Sequence, residues 1–236
     1  MQGNRGVNEG TPTIRKSSVS EMRSKLGYLP LQSLADHACV SLADPKRHAD
    51  AFYNGLRLVA IDGSNFEVPD EADNIKAFGY PSSRTGHAGY PQAQCAVLIE
   101  CATHAILAAH IDAYRISEWA VCQPLLAHLK SGMLCLANRG FSGYNHWQAA
   151  TATGADLLWR CPVNRQLPGI KALGDDSYLS VIYPPEAASV KQRLATERGI
   201  TVRVIDYTLL YTHGKHGPEA SRLPTRYRLL TTLLDE

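Results

Sequence analysis

The 236-residue sequence lacks any uninterrupted apolar run long enough to cross a bilayer. The nearest candidate, "AQCAVLIECATHAILAAHI" from Ala93 to Ile111, is broken by Gln94, Glu100, His104 and His110, each costly in hydrocarbon. It reads as two strands, so no membrane partner is expected. The opening "MQGNRGVNEGTPTIRKSS" has no apolar h-region, so no secretory signal is indicated and the cytoplasm is the expected compartment. None of the six cysteines (Cys39, Cys95, Cys101, Cys122, Cys135, Cys161) stands in a C-x-x-C pair. Lying mostly in apolar stretches, they read as buried reduced thiols. A phosphate-cradling P-loop, a dinucleotide fingerprint and a nucleophile elbow are all missing, which removes the commonest nucleotide-dependent and serine-hydrolase chemistries.

What is present is ordinary for a globular chain: 44% hydrophobic and 19% charged residues, enough for one sizeable core with at most a small appendage. The net charge of +2 is unevenly spread. Residues 1–60 carry eight Lys/Arg against five Asp/Glu, residues 61–161 six against nine, and residues 162–236 ten against eight. A mildly acidic centre between basic ends suits a metal-binding core with flanks that touch nucleic acid.

Along the chain, "SVSE" (Ser18–Glu21) offers a capping box for a helix stopped by Gly27. Pro30 opens a second helix in which Leu31, Leu34, Ala38 and Leu42 share a face, closed by Pro45. Residues 1–55 therefore read as a helical lead-in. At Leu56 the period changes. "LRLVAI" is a buried strand reaching Asp62-Gly63, with "NFEVP" continuing extended. Residues 70–91 lack a period and read as a long loop. A hairpin over about 93–114 follows, then a helix over 116–129 kinked at Pro124, a strand from Met133 to Ala137, a helix from Tyr144 to about Thr153, and a strand from Ala155 to Pro162. The remainder, "SYLSVIYP", "ITVRVIDYTLLYTH" and "YRLLTTLL", reads as an inserted or appended antiparallel sheet.

Two polar residues, Asp62 and Asn138, each follow a buried strand run, and these strands can lie side by side. Acidic groups meeting at such a point can hold two divalent ions roughly 3.5–4 Å apart, close enough to stabilise the attacking and leaving oxygens of phosphoryl transfer. Equally, Asp-Gly and Asn-Arg-Gly are ordinary turn sequences. Arg139, and Arg84 and His87 in the glycine-rich loop, are candidates for phosphate contact. His213 and His216 in "HGKH" form a weak chelating pair, whereas Trp147 and Trp159 read as core.

Taken in order, "FYNGLRLVAIDGSNFEVPD", "NIKAFGYPSS", "GYPQAQCAVLIECATHAI", "GMLCLANRGFSGYNHW", "QAATATGADLLWR", "SYLSVIYP" and "YRLLTTLLD" resemble the bacterial insertion-sequence transposases of the IS-four family, from about Ile14 to Glu236. The resemblance implies an α/β ribonuclease-H-like mixed sheet flanked by helices over 56–162. It places a β-rich insertion and the last core strand in 163–236. It also implies an Asp-Asp-Glu triad binding two Mg²⁺ ions that cleave transposon ends and join them to target DNA. Asp62 matches the first aspartate as catalytic residue and metal ligand. Asn138 stands where the family has the aspartate of a "DRGF" motif. The glutamate belongs to a Tyr-x-x-Arg-x-x-x-Glu helix after "LLTTLLD", and Glu236 does not fit it, so the resemblance implies that the C-terminal catalytic helix is absent. Because the family also begins further upstream, both ends are expected to be truncated. An inactive transposase-like chain is the leading expectation, with DNA as partner and either a homo-dimer or association with a full-length transposase. A non-catalytic DNA-binding remnant of the same fold is the alternative.

Overall fold

The computed structural model describes residues 15–83, 86–87, 89–187, 189–212 and 222–235. The chain divides into two compact units, 1–39 and 40–236.

In the first unit, helix α1 spans Lys16–Leu26 and helix α2 spans Leu29–Ala38. Gly27, at φ 69° and ψ −167°, holds a backbone conformation essentially reserved for glycine and so ends α1. Pro30 lies in the first turn of α2, where its missing N–H costs nothing. Three expectations are corrected. The helix begins before Ser18 and has no side-chain cap. The second helix ends at Ala38, leaving Leu42 outside it, and residues 49–53 form a 3-10 turn and strand β1 (Phe52–Tyr53) instead of continuing the helical lead-in.

In the second unit the sheet begins with β2 (Leu56–Glu67), β5 (Gln92–Glu100), β6 (Ile106–Ala113), β7 (Met133–Ala137) and β8 (Asp156–Cys161). Strand β5 runs antiparallel to both β2 and β6, while β2, β7 and β8 pair in parallel. In chain order these five strands are arranged 3-2-1-4-5 with only the second reversed, which is the ribonuclease-H-like topology. The sheet continues without a break. Strand β12 (Arg222–Thr231) pairs with β8, β11 (Ile200–Thr212) with β12, β10 (Tyr178–Ile182) with β11, and β9 (Lys171–Ala172) with β10, all antiparallel. The β-rich C-terminal region therefore widens the core sheet.

Side-chain alternation assigns the two faces. Val59, Ile61, Cys135, Leu157, Trp159, Val202, Val204 and Leu230 point to one side and are buried. They meet Val121 and Cys122 of helix α4 (Glu118–Cys122), Leu125 of the following 3-10 turn, Phe141, and Trp147 of helix α5 (Tyr144–Thr151). Trp147 and Trp159 lie with ring centroids 5.1 Å apart, and Phe141 sits edge-on to Trp159. Each such aromatic contributes on the order of 3 kcal/mol through burial. On the other face Leu58, Leu136, Leu158, Ile205, Leu233 and Leu234 line a groove of about 630 Å³.

The region expected as a loop over 70–91 contains helix α3 (Ala72–Phe78) and the short pair β3 (Ser82–Ser83) and β4 (Gly86–His87). Its Gly, Pro and Asp content marks the ends of these pieces. The helix expected over 116–129 is α-helical only for five residues and then tightens into 3-10 turns over Gln123–His128, because Pro124 has no N–H for the α-helical ladder. Helix α6 (Val190–Ala195) carries a capping box made by Ser189 and Gln192. The six cysteines are free thiols, three of them buried. Among the described residues no helix is long and apolar enough to cross a membrane.

Candidate functional site

Strand β2 does not stop at Asp62. Its parallel ladder with β7 ends at Ile61 and Ala137, but the antiparallel ladder with β5 carries it on to Glu67. Asp62 is thus the first residue past the parallel pairing, and Asn138 is the first residue past β7. Adjacent parallel strands bring them together. The Asn138 Nδ2 donates to Asp62 Oδ1 at 3.1 Å, and both residues line a groove of about 320 Å³ with Arg160 and Leu229.

A third side chain completes the cluster. Ser117 caps α4 by accepting from the Ala120 amide at 3.3 Å, which sets Glu118 in the first helical turn, where a carboxylate is favoured by the helix dipole. Trp119 fixes the approach of α4, stacking on His146 at 4.0 Å and meeting Phe141 edge-on at 5.9 Å. Burial pulls the His146 pKa down, partly opposed by its bond to the Phe141 backbone. Glu118 Oε1 accepts from Asn138 Nδ2 at 3.2 Å. Two glycines leave room for it: a Cβ on Gly63 would stand 3.2 Å from Glu118 Cγ, and one on Gly140 would stand 2.9 Å from Asn138 Oδ1 and 3.0 Å from Glu118 Oε2.

The negative charge of the two carboxylates is felt below the rim. Burial pushes the Cys122 thiol up to about 12, and the carboxylates of Glu118 and Asp62 add to that. Such a field attracts cations, and the family resemblance implies two Mg²⁺. The donor set does not fit them. A hard cation needs several converging oxygens, yet the Asn138 NH₂ points into the space between the carboxylates and its Oδ1 is committed to the Gly140 amide at 2.7 Å. Asp62 Oδ1 also accepts from the Gly63 amide at 2.9 Å. Among the described residues no three His, Cys, Asp or Glu side chains are grouped to hold a metal ion.

Arg139 is exposed beside Asn138. His87 lies in β4 away from strands β2 and β7 in the pairing scheme; its side chain lies outside what is described. Arg84, His213 and His216 also lie outside the described residues. Trp147 and Trp159 are core, at 0% and 1% exposure.

Two residues escaped the sequence reading. Glu118 falls inside the helical period that begins at Ile116, and nothing in that period marks it for the site. Arg160, at an outward position of β8, is exposed, with its guanidinium 4.5 Å from the Tyr227 ring centroid. Tyr227 in turn stacks on Tyr207 at 5.3 Å. The period-2 alternation of "DLLWRC" was the available signal for Arg160, since it sends Leu157, Trp159 and Cys161 inward and Arg160 outward.

Comparison with known proteins bears on this geometry. No family model matches the sequence. The chain is 24% identical over 154 residues to the putative transposase InsZ of Escherichia coli strain K12, covering 65% of this chain and 51% of that protein. It is 25% identical over 200 residues to the InsG transposase of insertion sequence element IS4 from the same organism, covering 84% of this chain and 44% of that protein. The chain is a relative of the IS4-type insertion-sequence transposases. It spans about half the length of these relatives. A solved structure of a piggyBac transposase synaptic complex with hairpin DNA aligns over 92% of this chain and 39% of its own, at 9% identity and a TM-score of 0.41. The fold assignment for this IS4-type relative rests on its strand order.

Proposed function

We propose that this IS4-type relative engages DNA through a transposase-like fold without carrying out metal-dependent strand cleavage. The observation that carries the reading is the amide at position 138. Two-metal phosphoryl transfer needs anionic oxygens at the meeting point of β2 and β7. Here a neutral side chain presents its N–H groups at that point.

DNA engagement is supported by the cationic and aromatic side chains around the groove. Arg139 adjoins Asn138, and Arg160 lines the same groove as Asp62. Beyond it, the Tyr207–Tyr227 stack with exposed Arg226 offers aromatic faces beside positive charge, the combination that tracks a phosphodiester backbone and tolerates any base. The similarity to transposases makes transposon-end DNA the substrate class to test first.

The test is competition binding of a labelled duplex at several salt concentrations. Affinity should fall steeply with salt, and Arg160→Ala should weaken binding to all sequences and reduce the logarithmic salt slope by about 1. An affinity that does not change with salt would exclude phosphate tracking.

A further inference from the structure

We propose that the side-chain amide of Asn138 takes the place of a bridging cation between Asp62 and Glu118, so that this rim is assembled without divalent metal. The inference does not require DNA binding, and its test reads none.

Asp62 comes from β2 and Glu118 from the first turn of α4, so nothing local obliges these two carboxylates to meet. Like charges at short range repel, and their convergence is favoured by a positively polarised group between them. The Asn138 NH₂ supplies one N–H to each, at 3.1 Å and 3.2 Å. The orientation of the amide is fixed by its other end, where Oδ1 accepts from the Gly140 N–H at 2.7 Å. A flipped amide would set its oxygen against both carboxylates and its NH₂ against an N–H, losing all three bonds. The glycines at 63 and 140 supply the clearance that lets Glu118 and the amide approach.

Asn138 is therefore a positioning residue that acts on the two carboxylates. An aspartate there would replace two donors with acceptors and put three carboxylates in contact, an arrangement that a bound cation or a shared proton relieves. Glu118 becomes the third member of that cluster.

The experiment is thermal unfolding of the 236-residue chain in EDTA, in Mg²⁺ and in Mn²⁺. Wild type should unfold at the same temperature in all three. Asn138→Asp should melt about 3 °C lower or more in EDTA and recover most of the loss in Mn²⁺. The double variant Asn138→Asp, Glu118→Gln should lose both the drop and the recovery, a response that a purely steric role for Asn138 does not produce. Should Asn138→Asp fail to fold, the wild-type chain still decides the matter, because its Asn138 side-chain NH₂ resonances should be unmoved by Mg²⁺. The proposal is overturned if those resonances shift with Mg²⁺, if wild type is stabilised by Mn²⁺ in a way that Asp62→Asn removes, or if Asn138→Asp melts with wild type in EDTA.

Discussion

The molecule handles carboxylates in two opposite ways within one pair of strands. At the end of β5, Glu100 is fully buried and surrounded by donors: Arg57, Thr103, and the amides of Ala43 at 2.7 Å and Leu42 at 3.2 Å. Burial alone would raise its pKa, but the bonds from Thr103, Ala43, Arg57 and Leu42 outweigh it and the net shift is downward. Further along β2, Asp62 is exposed and meets Glu118 only through one neutral amide. The first carboxylate ties residues 42–43 and β2 to the end of β5. The second faces solvent and contributes little to the fold, which is where a binding function can be placed or lost without unfolding the chain.

The sharpest way to break the comparison is at Glu100. Its replacement by alanine leaves Arg57, whose side chain is 19% exposed, without its counter-charge, and removing one partner of a buried pair costs about 3–5 kcal/mol. Denaturant titration should show that loss as a lower midpoint. The pH dependence follows from the sign of the shift. Because the folded pKa lies below the ordinary value of 4.5, the stability contributed by ionised Glu100 is complete above that value and is lost as pH falls through the folded pKa. The gap between wild type and Glu100→Gln should therefore narrow on acidification; a gap that widens would contradict the assignment.

A smaller effect is expected at Gly140. An added Cβ would stand 2.9 Å from Asn138 Oδ1, and crowding of a side-chain end that can move costs on the order of 1 kcal/mol. In Gly140→Ala the Asn138 side-chain NH₂ signals should shift while the core methyl spectrum stays as in wild type. The smallest effect is expected at Asp62 itself. Asp62→Ala should change stability by no more than about 0.5 kcal/mol, as for an exposed residue outside the core. A loss comparable with that at Glu100 would erase the contrast.

Much of this was legible in the sequence. The runs around Leu58, Val97, Leu134 and Leu157 read as strands because fully or half-buried strands are written as apolar stretches. Asp62 and Asn138 were found because both follow such runs. Three features were hidden for physical reasons. Helix α3 is seven residues long between breakers, too short to show a period. That β2 runs unbroken through Asp62-Gly63 into the extended "NFEVP" stretch depends on pairing with β5, where Val97, the partner of Asp62, lies 35 residues further on, overriding a local turn preference. Glu118 joins the site through a contact twenty residues distant in sequence, and no pattern in "YRISEW" announces it.

The central claim, that this transposase relative handles DNA without cutting it, is tested most directly by single-turnover incubation of the 236-residue chain with end-labelled duplexes and Mg²⁺, under conditions where binding is established. The account predicts that bound duplex stays intact at every Mg²⁺ concentration. Mg²⁺-dependent cleavage by the unmodified chain, abolished in Asp62→Ala, would contradict it.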